Sequence, residues 1–341
     1  SYEGLIELIT YEARVRAVCS SVTTTTPPII FTTKQTPVVV DSEHSFTDGF
    51  EGERCNWELV NGDLTNKWTF GTAANNGGEK ALYISNNEGA SNAYTINSST
   101  MVYATKIFTM EKGAYYFEYD WRANGEVVSS GTPYDYLRVA LMPANTTLIA
   151  GTSAPSVPSG DFYNNLPSGW IALDGGGQLS QSTDWVNYSG AVNIPTAGNY
   201  KVVFAWRNDN SQGTQPPAAI DNFSVIKLPC ILPTELAAYA MFTTAELSWT
   251  ELGYASQWNL QWKETGASEW NTISNLDETS YSLIDLTTNT TYEFRVQPNC
   301  TDDYWSDTHS FTTYCEVYDI TKQTTIMEDF ENDVFPPDCW E

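Results

Sequence analysis

The sequence predicts an all-β chain built as a tandem array of β-sandwich modules, and three observations support that class. Short apolar and aromatic runs alternate with Gly, Asn, Ser and Pro from 46 to about 228, without a sustained 3.6-residue period. Aromatic residues make up 13% of the chain, which is enough to fill cores and separates it from disordered acidic chains. The third observation is an internal repeat.

The repeat joins the two ends of the chain. Tyr11-Glu-Ala-Arg-Val-Arg-Ala-Val-Cys19 returns as Tyr292-Glu-Phe-Arg-Val-Gln-Pro-Asn-Cys300, with the cysteines 281 residues apart. Phe-Thr-Thr at 31–33 and Phe-Glu at 50–51 both return 280 residues later. A period of about 280 residues suits two domains per unit, so we expect an array cut within a unit.

Composition limits the partners. A net charge of −26 argues against nucleic acid, whose binding requires cationic side chains. No stretch approaches the roughly 18–20 apolar residues of a membrane span. The six cysteines form no Cys-x-x-Cys pair, and the whole chain has two histidines. Disulfides in an oxidising compartment are therefore favoured over a zinc site.

Residues 46–228 predict a two-sheet jelly roll. In 115–121, alternation places Tyr115, Phe117, Tyr119 and Trp121 on one face. The clearest predicted strands are 81–84, 93–96, 101–108, 114–121, 136–142, 185–194, 198–206 and 219–226.

The order of motifs in this region resembles the cleaved-adhesin family, MAM-like jelly rolls of surface hemagglutinins and gingipain proteases. The resemblance is carried by Asp48-Gly-Phe-Glu51, Asn56-Trp57, 113–121, Tyr136-Leu-Arg-Val139, Trp185, 198–207 and Ala219-Ile-Asp-Asn-Phe-Ser-Val225. It implies domain bounds of 46–228 and an adhesive, non-catalytic role.

Residues 229–315 resemble a fibronectin type III domain, with Trp249 as core tryptophan and Leu286 with Tyr292 as the corner of the last sheet. By the repeat, 1–35 is the C-terminal part of a truncated type III domain, and 316–341 starts a second jelly roll. The type III strand order implies a disulfide between Cys230 and Cys300. By the repeat, Cys19 is the counterpart of Cys300, and its partner is expected in the missing strand. Cys315 lies beside the next module within reach of Cys339, whereas Lys34 at the equivalent position of the first copy leaves Cys55 without an obvious partner.

A structural calcium site is expected where the jelly roll begins and ends. Asp48 and Glu51 lie in the first strand region, and Asp221 and Asn222 lie in the last. Ca²⁺ takes six to eight oxygen ligands, and related adhesin modules bind calcium at positions matching Glu51 and Asp221. The alternative is that these acids cap strands or pair with Arg54.

Ligand contacts are expected on loops held by the sandwich. The candidates lie in the 207–217 loop: Arg207, Asp209, Asn210 and Gln212. A second candidate loop spans 123–134. The alternative for both loops is a solvated, variable connection that contacts no ligand. Carbohydrate stacking on Trp68, Trp121, Trp170, Trp185 or Trp206 competes with a core role, which aromatics on alternating strand positions usually have.

No catalytic residue is assigned, because neither His44 nor His309 lies in a nucleophile motif. The sequence therefore predicts non-catalytic modules of a secreted or surface bacterial adhesin that binds host protein or carbohydrate and adjoins further modules of the same chain. The alternatives are accessory modules of a secreted peptidase or glycosidase, and a passive surface stalk.

Overall fold

The computed structural model describes residues 4–19, 22–127, 131–152 and 166–315, and within them all regular structure is β-strand, which confirms the all-β prediction. Across these ranges no helix has the length and apolar character of a membrane span. The described chain divides into two compact units, one up to residue 227 and one from 228 onward that includes 112–114.

The first unit contains seventeen of the described strands. Their bounds are β1 Thr10–Ala13, β2 Arg16–Cys19, β3 Val22–Thr25, β4 Ile29–Thr32, β5 Val38–Val40, β6 Phe46–Asp48, β7 Glu58–Val60, β8 Lys67–Gly71, β9 Ala81–Ser85, β10 Thr100–Met110, β11 Gly113–Ala123, β12 Glu126–Val127, β13 Pro133–Pro143, β14 Ile171–Ala172, β15 Ser182–Ile194, β16 Gly198–Asn208 and β17 Ala219–Lys227.

Two sheets form the predicted jelly roll. One has the order β12-β13-β16-β10-β5, with β14 on β13 and β7 on β10. The other has the order β15-β11-β17-β9-β8, with β6 on β17. The predicted alternation in β11 is confirmed, since Tyr115, Phe117, Tyr119 and Trp121 are all buried in the core between the sheets.

Aromatic contacts fill that core. The ring of Trp57 lies 5.0 Å from that of Phe204 and 5.2 Å from that of Phe223, measured between centroids. Edge-to-face and tilted ring pairs at these distances stabilise a core beyond their buried area. They fix the two sheets against each other and give the connecting loops a rigid base.

The predicted strand at 93–96 is wrong, because these residues form an irregular loop. The side chain of Gln215 takes the place of a neighbouring strand. Its Oε1 accepts from the backbone N–H of Tyr94 at 3.2 Å, and its Nε2 donates to the carbonyl of Tyr94 at 2.9 Å. Tyr94 is buried, so the loop produces the same apolar alternation as a strand.

The N-terminal segment forms two antiparallel pairs, β1 with β4 and β2 with β3. Tyr11 lies opposite Phe31 across the first pair, with ring centroids 5.9 Å apart. Ile29 and Ile30 are exposed in β4. The assignment of residues 1–35 to a truncated type III domain stays a prediction.

The second unit has the seven strands and strand order of a type III sandwich. The strands are β18 Thr234–Ala240, β19 Ala245–Thr250, β20 Trp258–Glu264, β21 Asn271–Leu276, β22 Ser280–Leu283, β23 Thr291–Pro298 and β24 His309–Thr312. They form the sheets β18-β19-β22 and β21-β20-β23-β24. Trp249, Leu286 and Tyr292 are buried in one core as predicted, and the Tyr292 hydroxyl accepts from the N–H of Thr287 at 2.9 Å.

The cysteine predictions have different outcomes. Cys230 and Cys300 form a disulfide, as predicted. Cys55 is free and half-buried, and burial raises the pKa of its thiol to about 11, so the thiol stays protonated at neutral pH. The side chain of Cys19 and all of Cys339 lie outside the described residues, so the predictions for them stay open.

Candidate functional site

The first and last strands of the jelly roll are neighbours. Strand β6 pairs antiparallel with β17, with Asp48 opposite Phe223. This pairing brings the Asp48–Glu51 segment beside the Asp221–Asn222 segment. The four residues predicted as calcium ligands therefore lie on two neighbouring strands of one sheet or, for Glu51, three residues after the end of one of them.

A bulge places two carboxylates opposite each other in this sheet. The register between β11 and β17 shifts after Glu118, and Asp120 then lies opposite Asp221. Asn222 has φ of 51° at this irregularity, a left-handed conformation that Asn tolerates better than most residues. Like charges directly opposite on neighbouring strands are destabilising, so this pair requires compensation.

Asn76 supplies part of that compensation. Its backbone N–H donates to Asp221 Oδ2 at 2.6 Å, and its side-chain Nδ2 donates to Asp120 Oδ2 at 2.9 Å. Asp221 is 1% exposed, and burial raises the pKa of its carboxyl to about 6, with the charges of Glu51 and Asp120 adding to the shift. The hydrogen bonds oppose the shift without cancelling it.

Glu51 is held by the loop that carries Asn76. Its Oε1 accepts from the N–H groups of Glu79 at 2.9 Å and Lys80 at 3.1 Å. A Cβ at Gly78 would lie 2.0 Å from that oxygen, so the loop requires glycine there. We call Glu51, Asn76, Asp120, Asp221 and Asn222 the strand-end cluster.

The remaining predicted ligands have identifiable partners. Asp48 accepts from the N–H of Phe50 at 2.8 Å and from the indole Nε1 of Trp57 at 2.9 Å. Asn222 Nδ2 donates to Asp120 Oδ2 at 2.8 Å and to the carbonyl of Asn76 at 2.9 Å. Their roles as calcium ligands stay predictions.

Sequence reasoning missed Asp120 and Asn76. Alternation identified the polar face of β11 but not the bulge that aligns Asp120 with Asp221. The carboxylate oxygens of Glu51, Asp120 and Asp221 do not all lie within 4.8 Å of one another. A shared ion therefore requires movement of at least one of these side chains.

The 207–217 loop has a fixed base and an exposed tip. The hydroxyl and N–H of Thr214 donate to the carbonyl of Gly125 at 2.6 and 2.9 Å, and the N–H of Asp209 donates to Asp135 Oδ1 at 2.9 Å. Arg207 donates to the carbonyl of Tyr134. Asn210 and Gln212 are exposed between these anchors.

The five tryptophans considered for carbohydrate stacking differ in exposure. Trp68, Trp121 and Trp206 are buried in the jelly-roll core. Trp170 and Trp185 are partly exposed, and the guanidinium of Arg122 lies 5.1 Å from the ring centroid of Trp185. The core interpretation therefore holds for three of the five.

Both histidines have local partners. His44 Nδ1 lies 2.8 Å from Asp41 Oδ1 on an exposed turn, and the ring of His309 meets that of Phe294 edge to face at 5.6 Å. The Gly-rich stretch at 174–177 is a turn anchored by a buried ion pair, in which Arg138 Nε donates to Asp174 Oδ2 at 2.6 Å.

Comparisons with known proteins add little to these observations. No protein-family model matches the sequence, and no curated protein matches it. Three solved structures are similar in part. The CBM22-1 xylan-binding domain of Paenibacillus barcinonensis Xyn10C has 9% identity over 57% of this chain and 100% of its own, with a TM-score of 0.32. The fn3 domain of human contactin 1 has 18% identity over 28% and 87%, with a TM-score of 0.25.

The third is the FN5 domain of Drosophila Lar, with 18% identity over 25% of this chain and 96% of its own and a TM-score of 0.22. Each TM-score is below 0.5. The description of the two sandwiches therefore rests on their strand order and cores, and no function is transferred from these proteins.

Proposed function

We propose that the chain is a pair of non-catalytic binding modules from a secreted or cell-surface adhesin, and that it recognises host protein or carbohydrate. The observation that carries the proposal is the 207–217 loop, which presents exposed amide side chains from a base fixed by Thr214 and Asp209. A rigid sandwich with a preorganised polar loop is the usual construction of a binding module, because little ordering entropy remains to be lost on binding.

The extracellular location is supported by the disulfide. The Cys230–Cys300 bond closes a separation of 70 residues, and such structural disulfides persist in oxidising compartments. The acidic charge of −26 favours partners other than nucleic acid.

A calcium ion at the strand-end cluster is the second part of the proposal. Asp120 and Asp221 face each other, and Glu51 adds a third negative charge near a buried carboxyl. A bound Ca²⁺ converts this repulsion into attraction and ties the first strand of the domain to its last. In this proposal Glu51, Asp120 and Asp221 are the carboxylate ligands, with Asp48 and Asn222 as the other predicted ones.

The binding role is tested with the full chain on arrays of glycans and immobilised matrix proteins. We expect a ligand whose affinity falls by about thirtyfold when Asn210 and Gln212 are both changed to Ala, because each lost amide contact is worth about 1 kcal/mol. Asn271→Ala, an exposed amide on the type III sandwich, is the matched control and should leave the affinity unchanged.

Two outcomes contradict this proposal. Absence of binding to any array member favours the passive stalk. Binding that survives both substitutions in the loop places recognition on another surface.

A further inference from the structure

A second group of acidic side chains lies at the loop end of the jelly roll. Glu126, Asp135 and Asp209 each offer a carboxylate oxygen, and the three oxygens lie within 4.8 Å of one another. Across the described ranges, this is the one such group of three or more His, Cys, Asp or Glu side chains. It shares no residue with the strand-end cluster.

The fold brings the three together from separate segments. Strand β12 pairs with β13 and places Glu126 opposite Asp135, while Asp209 follows β16, the next strand in the sheet. Two glycines make this approach possible. A Cβ at Gly125 would lie 2.3 Å from the carbonyl oxygen of Asp135, and one at Gly213 would lie 2.1 Å from the hydroxyl of Tyr94.

One carboxylate oxygen in this group is left without a partner. Glu126 is 8% exposed, and its Oε2 is buried without a hydrogen bond. The other two acids are satisfied: Asp135 accepts from the Tyr94 hydroxyl at 2.6 Å, and Asp209 accepts from the N–H of Ser211 at 2.8 Å. A buried carboxylate oxygen without a donor, next to two further carboxylates, is costly unless a cation neutralises it.

We propose that Glu126, Asp135 and Asp209 bind a divalent cation, and that Ca²⁺, which tolerates irregular oxygen coordination, is the ion. Ca²⁺ takes six to eight oxygen ligands at about 2.3–2.6 Å in a flexible geometry, so oxygens on opposite sides of one ion are separated by up to about 5 Å, whereas Mg²⁺ requires a near-ideal octahedron. Three carboxylate oxygens that lie within 4.8 Å of one another can share one such ion. The donor set is entirely oxygen, which also suits a hard cation.

The remaining ligands have space to enter from solvent. A cavity of about 490 Å³ opens beside the group and is lined in part by Glu126, Ser211, Gly213 and Thr214. Water molecules there complete the six to eight oxygens that Ca²⁺ requires. The nearby guanidinium of Arg207 is engaged elsewhere, over the ring of Tyr136 at 5.6 Å and on the carbonyl of Tyr134.

Such an ion would fix the exposed loop to the sheet. Asp209 lies at the start of the 207–217 loop, and Glu126 and Asp135 lie on the strands beneath it. The site therefore assigns Asp209 to metal binding and leaves Asn210 and Gln212 as the exposed tip. This inference stands whether or not the loop binds glycan or protein.

Terbium luminescence on the full chain tests the site directly. Tyr94 contacts Asp135, and its ring lies 5.3 Å from that of Trp206, so Tb³⁺ bound here is excited through both rings. In a Glu51→Gln/Asp221→Asn background, which removes the strand-end site, we expect emission that Ca²⁺ displaces. Adding Glu126→Gln or Asp209→Asn should weaken Tb³⁺ binding by about tenfold or more, whereas Asp184→Asn, at an exposed acid of β15, should not.

Melting temperatures give an independent readout in the otherwise native chain. With chelator, Glu126→Gln should raise the melting temperature of the jelly roll by about 2–4 °C or more, because it removes an unpaired buried charge. In millimolar calcium the same variant should melt below the native sequence. Unchanged Tb³⁺ binding in the variants, or the same order of melting temperatures with and without calcium, overturns the proposal and leaves the strand-end site unaffected.

Discussion

Replacing Asp174 with Ala is expected to destabilise the jelly roll by about 3–5 kcal/mol, because it leaves a buried guanidinium without its counter-charge. Arg138 is 1% exposed, and Asp174 also accepts from the N–H groups of Val139 and Gly176, both at 3.0 Å. For a domain of this size the loss lowers the melting temperature by about 10 °C or more. Chemical denaturation of the full chain, followed by tryptophan fluorescence, measures it.

A double variant distinguishes the effect of an unpaired buried charge from the effect of lost side-chain volume. Arg138→Met with Asp174→Leu replaces both charges by apolar side chains and should cost less than Asp174→Ala alone. Asp184→Ala, which removes an exposed acid of β15, should change stability by less than about 0.5 kcal/mol. A single Asp174→Ala variant as stable as the native chain would show that the pair does not anchor the turn.

Removing the Cys230–Cys300 disulfide is expected to cost the type III sandwich about 4 kcal/mol. The bond closes a loop with a sequence separation of 70, and in the chain-entropy model it stabilises the fold by restricting the unfolded chain. For a domain of about 90 residues the melting temperature should fall by about 15 °C or more. Calorimetry of Cys230→Ser/Cys300→Ser against the native chain measures the shift.

Cys55→Ser provides the matched control, since Cys55 is a free thiol of the first unit. It should leave the type III transition where it is. If the double serine variant melts with the native type III transition, the disulfide is not a stabilising element of this sandwich.

The strands of both sandwiches could be predicted because side-chain alternation and aromatic position record which face is buried. In β11 the alternation of Tyr115 through Trp121 matches the buried face residue by residue. The 93–96 loop has the same apolar pattern, and the amide of Gln215, distant in sequence, supplies the hydrogen bonds of a strand. A local sequence pattern does not indicate which distant residue will supply such hydrogen bonds.

The candidate sites were predictable only in part for the same reason. The first and last strands of the jelly roll are neighbours, and this brings Glu51 near Asp221. That proximity could be predicted from strand order alone. The bulge that aligns Asp120 with Asp221, and the convergence of Glu126 with Asp135, depend on register and on glycines that permit close approach. Asp209 was identified as a loop residue, but its acidic neighbours come from segments far away in sequence.

Calcium stabilisation of the jelly roll through Glu51 and Asp221 is the central claim, and thermal unfolding of the full chain tests it most directly. Metal that binds only the folded form at a hundredfold excess over its Kd adds about 2.7 kcal/mol, which raises the melting temperature by about 5–10 °C. Glu51→Gln and Asp221→Asn should reduce this response, and Glu278→Gln, at an exposed acid of the type III sandwich, should not. A native melting temperature that is the same in calcium and in chelator would contradict the claim.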